Sequence, residues 1–396
     1  MPRDLGPDLE AEVGHGPLPA RDAFAPLRVW LEPGWDGRIA GWVEGVPGAL
    51  AVAETRERVL SDALTVTGRV REWLEAHGDE VAIPRIAKAA AAGEVPTVIT
   101  ADGHQAMATL PSDLRAVSVE EAQTALRRLS WSRADVVATL EAIGAWEARS
   151  GRSLPCDPAR GERSAEEVAR HLAGAEVWMT GRLAGAGRYD GPMDGVTVPE
   201  LLAGTRAWSA ERLAALARTD DGAAAADRYG ETWTMAKVLR RLQGHSFDHL
   251  WELQRRLVRV DGTRDRIAIR LDVTPDTGAV IGLFRSVGWD MRASEPASVE
   301  KAIGGTSEFA TAWDGDRLIG TARSITDGGQ NGLIATVVVH PAYQGLGMGE
   351  RLVNLLIDEW DQVRFSLTAA PGLEGWYQKL GFVPDPHAMY RPRRRQ

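Results

Sequence analysis

Val337-Val338-Val339-His340-Pro341-Ala342-Tyr343-Gln344-Gly345-Leu346-Gly347-Met348-Gly349 is the stretch around which the chain is organised. An apolar, β-branched run from Leu333 leads into it, glycine occupies every second position near its end, and an amphipathic pattern follows. This order predicts a buried strand, a tight loop and a helix. Because glycine lets backbone N–H groups approach a ligand and a helix N-terminus carries partial positive charge, the loop suits a pyrophosphate.

The segment from Gln344 to Gly349 matches the signature Gln/Arg-x-x-Gly-x-Gly/Ala and resembles the GNAT family of acyl-CoA N-acyltransferases. It lacks the Gly-Lys-Ser/Thr ending of a Walker loop and does not match a dinucleotide fingerprint. The hairpin turn Asp314-Gly315-Asp316 and the segment from Trp376 to Phe382 also match the family. The resemblance covers the last third of the chain and implies a mixed α/β fold ordered β-α-α-β-β-β-α-β-α-β.

The resemblance implies acetyl-CoA as the donor and a primary role for backbone groups in binding it. In the family, the strand residues hold the pantetheine arm and the acyl carbonyl, and the loop amides cradle the pyrophosphate. The cofactor-binding residues expected from it are Val337, Val338, Val339, Gln344, Gly345, Leu346, Gly347, Met348 and Gly349. Tyr377 matches the tyrosine that protonates the leaving thiolate, although it is also explained as a packing residue.

The general base is less clearly indicated. Many relatives carry an acidic residue on the strand before the Val-x-Val segment, whereas this chain has Thr336 there. Glu308, Asp327 and His340 are alternatives, acting directly or through water. An acceptor that arrives partly deprotonated needs no dedicated base.

Composition limits the class of protein. The chain has 396 residues, enough for two or three domains with cores of their own, with 44% hydrophobic and 26% charged residues. Its net charge of −9 argues against a general nucleic-acid binder. Cys156 is the single cysteine, which excludes an internal disulfide. No signal peptide or membrane-spanning run is seen, so we expect a cytoplasmic protein with no membrane contact.

The first part of the chain predicts a flexible lead-in over 1–25 and a small α/β domain over 26–80. Two strands with a turn between them, a third strand and a helix from Thr55 to His77 give a ββ-β-α pattern that resembles the HicB-like fold. Of that family's Pro-x-x-Pro-Gly-Cys pattern only Val46-Pro47-Gly48 is present, and no DNA-binding helix pair follows, so we expect a regulatory or structural role. Residues 81–117 are predicted to be a connector with one or two short strands.

Helical periodicity dominates residues 118–260. Helices are predicted near 118–147, 164–184, 197–217 and 232–259, three of them starting at the capping boxes of Ser118, Ser164 and Thr197. Four such helices bury their apolar stripes together as a bundle. The GNAT-like domain is placed at 264–396, which makes the chain a multidomain α+β protein.

A histidine set lies in the predicted bundle. His245 and His249 are four residues apart on one helix face, about 5 to 6 Å apart at Cβ, and His171 lies on another helix. Three imidazoles suit a divalent ion such as zinc or nickel. The segments around them resemble the DinB-like family, which carries such a metal site and includes thiol S-transferases. The alternative is that they are ordinary surface histidines.

Three functions therefore remain open. The first is acetyl transfer from acetyl-CoA to a small-molecule amine acceptor in a ternary complex. The second is a metal-dependent thiol S-transferase or detoxification unit with an accessory GNAT domain, and the third is a non-enzymatic sensor of metal or acyl-CoA. Neither the acceptor nor the choice between monomer and homodimer is fixed by the sequence.

Overall fold

The computed structural model describes residues 24–34, 37–79, 85–98, 100, 105–219, 226–228, 230–271, 273–389 and 391. The strands are β1 Phe24–Pro33, β2 Ile39–Val43, β3 Leu50–Ala53, β4 Arg85–Glu94, β5 Ala226–Arg228, β6 Glu231–Trp233, β7 Ala268–Arg270, β8 Glu308–Asp314, β9 Arg317–Thr326, β10 Asn331–Val339 and β11 Arg364–Ser366. The helices are α1 Arg56–Ala76, α2 Val119–Ser150, α3 Ala165–Thr180, α4 Val198–Leu216, α5 Met235–Val258, α6 Thr263–Arg266, α7 Thr277–Ser286, α8 Asp290–Ala293, α9 Pro296–Gly304, α10 Met348–Ile357 and α11 Glu374–Lys379.

The first unit is a sheet of order β3-β2-β1-β4 with α1 packed on it. The three predicted strands and the helix are present, and the Thr55 side chain caps α1 as its sequence suggests. Two details differ: β1 starts at Phe24, inside the predicted lead-in, and β4 lies inside the predicted connector. Alanine favours strands weakly, so β4 is held by its parallel pairing with β1 rather than by propensity. The sequence pattern predicts the short strands of the connector at 97–100 and 106–110, and the described residues of these two segments form no strand.

The second unit contains the four long helices α2 to α5. The capping boxes at Ser118, Ser164 and Thr197 form as predicted, each closed by the glutamate three residues later. A short hairpin, β5–β6, precedes α5. One apolar cluster joins the first sheet to this unit, since it contains both Leu31 and Trp251. The two units therefore share a core, which differs from the separate cores expected from chain length.

The C-terminal unit is a five-stranded sheet of order β11-β10-β9-β8-β7. Strands β7 to β10 are antiparallel to their neighbours, and β11 is parallel to β10. Helix α10 packs on one apolar cluster and α7 belongs to another, which includes Val338. The last strand of the expected β-α-α-β-β-β-α-β-α-β order would follow Tyr377, and it is absent from the described residues. Pro384 and Pro386 interrupt the strand pattern there, and Val383 is 84% exposed.

Helix α1 docks the first unit onto the C-terminal unit. A Cβ placed on Gly68 would lie 2.5 Å from the carbonyl oxygens of both Arg285 and Ser286 at the end of α7. Arg71 forms a bidentate ion pair with the buried Asp290 of α8, with N–O distances of 2.7 and 2.9 Å. This close approach fixes α1 and β4 beside the C-terminal sheet. No helix in the described part of the chain is long and apolar enough to cross a membrane.

Candidate active site

The loop after β10, residues 344–349, alternates anchoring side chains with exposed glycines. Leu346 and Met348 are buried, at 6% and 1% exposure, whereas Gly345 and Gly347 are exposed and both have φ of +78°. Gly347 is the N-cap of α10, so the first N–H groups of that helix have no intrahelical acceptor. The loop therefore presents backbone donors and the positive end of a helix to solvent, an arrangement that binds anions.

Strand β10 has an open edge directly before this loop. It pairs with β11 only from Asn331 to Leu333. On its other side the register jumps between Ala335 and Val338, and Thr336 within this bulge has φ of +60°. On the side that faces β11, the backbone of residues 334–339 therefore has no strand pairing. An extended ligand can bind there in the place of a strand.

The predicted binding residues are all placed along this edge and loop. Val338 is buried with its side chain in the core, and Val337 and Val339 are partly buried. The Gln344 side-chain amide donates to the Val339 carbonyl at 3.0 Å. Gln344 thus links the end of the strand to the start of the loop, so the two halves of the site are held in one geometry.

Tyr377 lies on α11, next to the loop. Its neighbour Trp376 packs against the loop, because a Cβ placed on Gly349 would lie 3.3 Å from Trp376 Cζ2. Tyr377 is 8% exposed and makes edge contacts with the rings of Trp376 and Phe382. Burial raises the pKa of Tyr377, so the phenol is protonated at neutral pH. That is the state a general acid requires.

The three residues considered as the base are each engaged elsewhere. His340 Nε2 lies 2.7 Å from a Glu72 carboxylate oxygen, and its Nδ1 accepts from the Ala342 N–H at 3.2 Å. Asp327 accepts backbone N–H bonds from Asn331 and its neighbours, which hold the pKa of the carboxyl far below its usual range. Glu308 accepts from Trp360 Nε1 at 3.2 Å.

A cavity of about 660 Å³ lies on the sheet beside the bulge of β10. Helices α7, α8 and α9 and strands β8, β9 and β10 contribute to its walls. Its apolar lining includes Phe284, Val299 and Phe309, and its polar lining includes Thr336 and Arg323. The cavity and the open edge of β10 therefore meet at Thr336.

Other units of the chain add residues that sequence patterns do not reveal. Lys88 of β4 lines the cavity, and Glu72 of α1 contacts His340. Arg259, just after α5, reaches the glycine loop, since a Cβ on Gly345 would lie 3.0 Å from its Nη2. These residues are far away in sequence, and only the docking of the units brings them to the site.

The predicted histidine set is brought together in the bundle. His171, His245 and His249 each offer a ligand atom, and these atoms lie within 4.8 Å of one another. The Nε2 atoms of His171 and His245 are 3.0 Å apart, and His249 Nδ1 is 2.9 Å from the Glu252 carboxylate, which leaves its Nε2 for a metal. Burial, followed by His249, lowers the pKa of His171 to about 4. The donor set and its carboxylate support fit zinc or nickel.

Comparison with known proteins concerns the C-terminal unit. A family model described as an acetyltransferase (GNAT) domain matches residues 287–391. The uncharacterized N-acetyltransferase ycf52 of Pyropia yezoensis is 32% identical over 148 residues, which cover 34% of this chain and 83% of that protein. The uncharacterized N-acetyltransferase ycf52 of Porphyra purpurea is 33% identical over 162 residues, which cover 37% of this chain and 88% of that protein. Serotonin N-acetyltransferase 2 of Oryza sativa is 31% identical over 119 residues, 29% of this chain and 60% of that protein. Through its C-terminal third the chain belongs to the GNAT N-acetyltransferase family, whose fold implies the use of acetyl-CoA, and it is an acyltransferase enzyme.

Proposed function

We propose that the chain transfers the acetyl group of acetyl-CoA to a small primary amine by direct attack within a ternary complex. The observation that carries this proposal is the open edge of β10, which runs into two left-handed glycines at the N-terminus of α10. The edge suits an extended pantetheine arm, and the loop suits a pyrophosphate. The cavity at Thr336 suits the amine. A cytoplasmic location is consistent with the single cysteine, Cys156.

In the proposed reaction the neutral amine attacks the thioester carbonyl, forming a C–N bond as the C–S bond breaks. Backbone N–H groups along β10 stabilise the developing oxyanion. Tyr377 gives its proton to the leaving thiolate and regains one from solvent. Because Glu308, Asp327 and His340 are engaged in other bonds, the surplus proton of the amine passes to water.

Initial-rate kinetics test the ternary complex. Direct attack predicts intersecting double-reciprocal lines when amine and acetyl-CoA are varied, and no mass increase of the enzyme incubated with acetyl-CoA alone. Parallel lines together with an acetylated enzyme would instead require a covalent intermediate.

Tyr377→Phe is expected to lower kcat by about 100-fold, because removing a general acid costs this order of rate. The KM for acetyl-CoA should stay within twofold, since the ring packing against Trp376 and Phe382 is retained. Tyr189→Phe, in a ring contact with Trp208 in the second unit, is the matched control and should leave kcat unchanged. A kcat for Tyr377→Phe within twofold of the wild type would show that Tyr377 is a packing residue.

Arg259→Ala is expected to raise the KM for acetyl-CoA about tenfold, since an exposed charge-assisted hydrogen bond contributes about 1.5 kcal/mol. The reason is the position of its guanidinium beside Gly345. Arg264→Ala, an exposed arginine of α6, is the control and should change KM little. Equal KM values in the two variants would remove Arg259 from the site.

We also propose a divalent metal site at His171, His245 and His249, on the strength of their convergence and the Glu252 contact. His171, His245 and His249 would hold the ion, which would supply Lewis-acid activation of a thiol or of water. This site would serve the metal-dependent thiol chemistry or sensing left open by the sequence, alongside acetyl transfer.

His245→Ala is expected to abolish binding of one equivalent of zinc or nickel, measured by calorimetric titration after chelation. The wild type should also gain about 2.7 kcal/mol of stability at a metal concentration one hundred times Kd. His387→Ala, an exposed histidine of the C-terminal unit, is the control. Equal metal binding by His245→Ala and the wild type would exclude the site.

A further inference from the structure

We infer that the amine acceptor carries an anionic oxygen group, which Arg323 and Arg292 bind beside Thr336 in the cavity. The inference rests on the proposed acetyl transfer and adds to it the chemical class of the acceptor. It would make the substrate an amino acid or another amine that bears a carboxylate or a phosphate, rather than a simple alkylamine.

Arg323 is held in the cavity by neutral groups. Its Nε donates to Thr336 Oγ1 at 3.1 Å, and its Nη1 lies 3.3 Å from Thr306 Oγ1 and 3.5 Å from the Ala302 carbonyl oxygen. Within the described part of the chain, no carboxylate lies within ion-pair distance of this guanidinium. Burial, followed by the charge of Arg292, lowers the pKa of Arg323. The cation is therefore partly desolvated next to another cation, which an anion would stabilise.

Arg292 converges on the same hydroxyl. Its Nη1 donates to Thr336 Oγ1 at 3.4 Å, so two guanidiniums flank one threonine side chain. Thr336 has a left-handed backbone, with φ of +60°, and this unusual conformation is kept at the point where the cavity meets the open edge of β10. Paired guanidiniums are suited to bidentate recognition of carboxylate or phosphate.

The charge of the whole cavity has the same sign. Lys88, from β4 of the first unit, lines it together with Arg292 and Arg323, whereas Glu295 is the one acidic residue among the described residues of its lining. The excess is positive although the chain carries a net charge of −9. A cavity of this sign in a negative protein favours anions over cations such as protonated alkylamines.

The rest of the lining indicates the body of the acceptor. Val280, Phe284, Val299, Ile303 and Phe309 give the cavity an apolar wall, and its volume of about 660 Å³ lies in the usual range of small-molecule sites. An amino acid with an apolar side chain fits this combination. Its anionic group would lie at the arginines and its side chain against the helices.

Matched substrates test the inference in the wild-type protein. The rates with acetyl-CoA are compared for tryptophan and tryptamine, for phenylalanine and phenethylamine, and for O-phosphoethanolamine and ethanolamine. The anionic member of at least one class should have the higher kcat/KM by about 10- to 100-fold, the usual effect of a charge-assisted pair. The two amino acid pairs test for a carboxylate on the acceptor, and the O-phosphoethanolamine pair tests for a phosphate.

Arg323→Gln should remove this preference. The kcat/KM for the favoured anionic amine is expected to fall about 10- to 100-fold. The kcat/KM for the partner amine without the anionic group, and the KM for acetyl-CoA, should stay within threefold. Arg292→Gln provides a second variant in case the first is unstable. Arg270→Gln, on the edge strand β7, is the control and should change neither substrate.

The inference is overturned if the decarboxylated or dephosphorylated amines are acetylated as well as or better than their anionic partners in the wild type. It is also overturned if Arg323→Gln lowers both members of a pair equally. These results differ from failure of the proposed function, in which no amine of the panel is acetylated and acetyl-CoA is not consumed.

Discussion

Gly347→Glu is expected to reduce the affinity for acetyl-CoA by at least about 100-fold, or about 2.7 kcal/mol. Gly347 has φ of +78° and caps α10, so any L-residue there strains the loop by about 1 to 2 kcal/mol. The new carboxylate would also place a negative charge where the loop presents its donors to a pyrophosphate. Both effects act on the same ligand, and together they should abolish turnover at ordinary acetyl-CoA concentrations.

Equilibrium binding of acetyl-CoA by calorimetry measures this effect without an acceptor. Gly328→Glu is the matched control, because Gly328 also has a positive φ, of +73°, but lies at the β9–β10 turn, at the opposite end of β10 from the loop. The control should bind acetyl-CoA like the wild type. If Gly347→Glu binds acetyl-CoA normally while its fold is intact, the glycine loop is not the pyrophosphate site.

Gly68→Ala is expected to destabilise the protein by about 3 kcal/mol, the upper part of the usual range for overpacking. In an exposed helix the same change would stabilise it by about 0.5 to 1 kcal/mol. The sign is reversed because a Cβ on Gly68 would lie 2.5 Å from two carbonyl oxygens of α7 and 2.8 Å from the Gly288 nitrogen. These are backbone atoms, so relief requires α1 and α7 to move apart.

Thermal unfolding followed by tryptophan fluorescence measures the difference. Gly144→Ala in α2 is the control, since a Cβ there meets nothing within 4 Å and Gly144 is exposed. Its unfolding temperature should rise slightly while that of Gly68→Ala falls by several degrees. If both variants shift upward alike, α1 does not pack tightly on α7 and the first unit is only loosely attached.

Local signals in the sequence predicted much of this structure. The capping boxes at Ser118, Ser164 and Thr197 predict the first residue of three helices correctly. Each box is formed by a hydroxyl side chain and a glutamate only three residues later, so it can be seen in the sequence. The alternating glycines predict the loop, because glycine allows backbone conformations that other residues rarely adopt. The four-residue spacing of His245 and His249 predicts that they share a helix face. In each case the determining contacts are close in sequence.

The remaining features depend on long-range contacts. Strand β4 is alanine-rich and is specified by its pairing with β1, which no local pattern encodes. Likewise three basic residues of the candidate site come from different units: Lys88 from the first, Arg259 from the second and Arg323 from the C-terminal unit. Lys88 and Arg259 reach the site only when the units are docked, and Arg323 reaches Thr336 only when β9 and β10 pair. A sequence search for an acidic base passes over all three.

Acetyl transfer itself is tested most directly by incubating the full-length protein with acetyl-CoA labelled in its acetyl group and a panel of amines that includes the matched pairs above. Mass spectrometry then follows both products. We expect the wild type to form a labelled N-acetyl amine in equal amount to free CoA, and Gly347→Glu to form neither product. Wild-type protein that neither binds nor consumes acetyl-CoA with any amine of the panel would contradict the assignment of acetyl transfer to this chain.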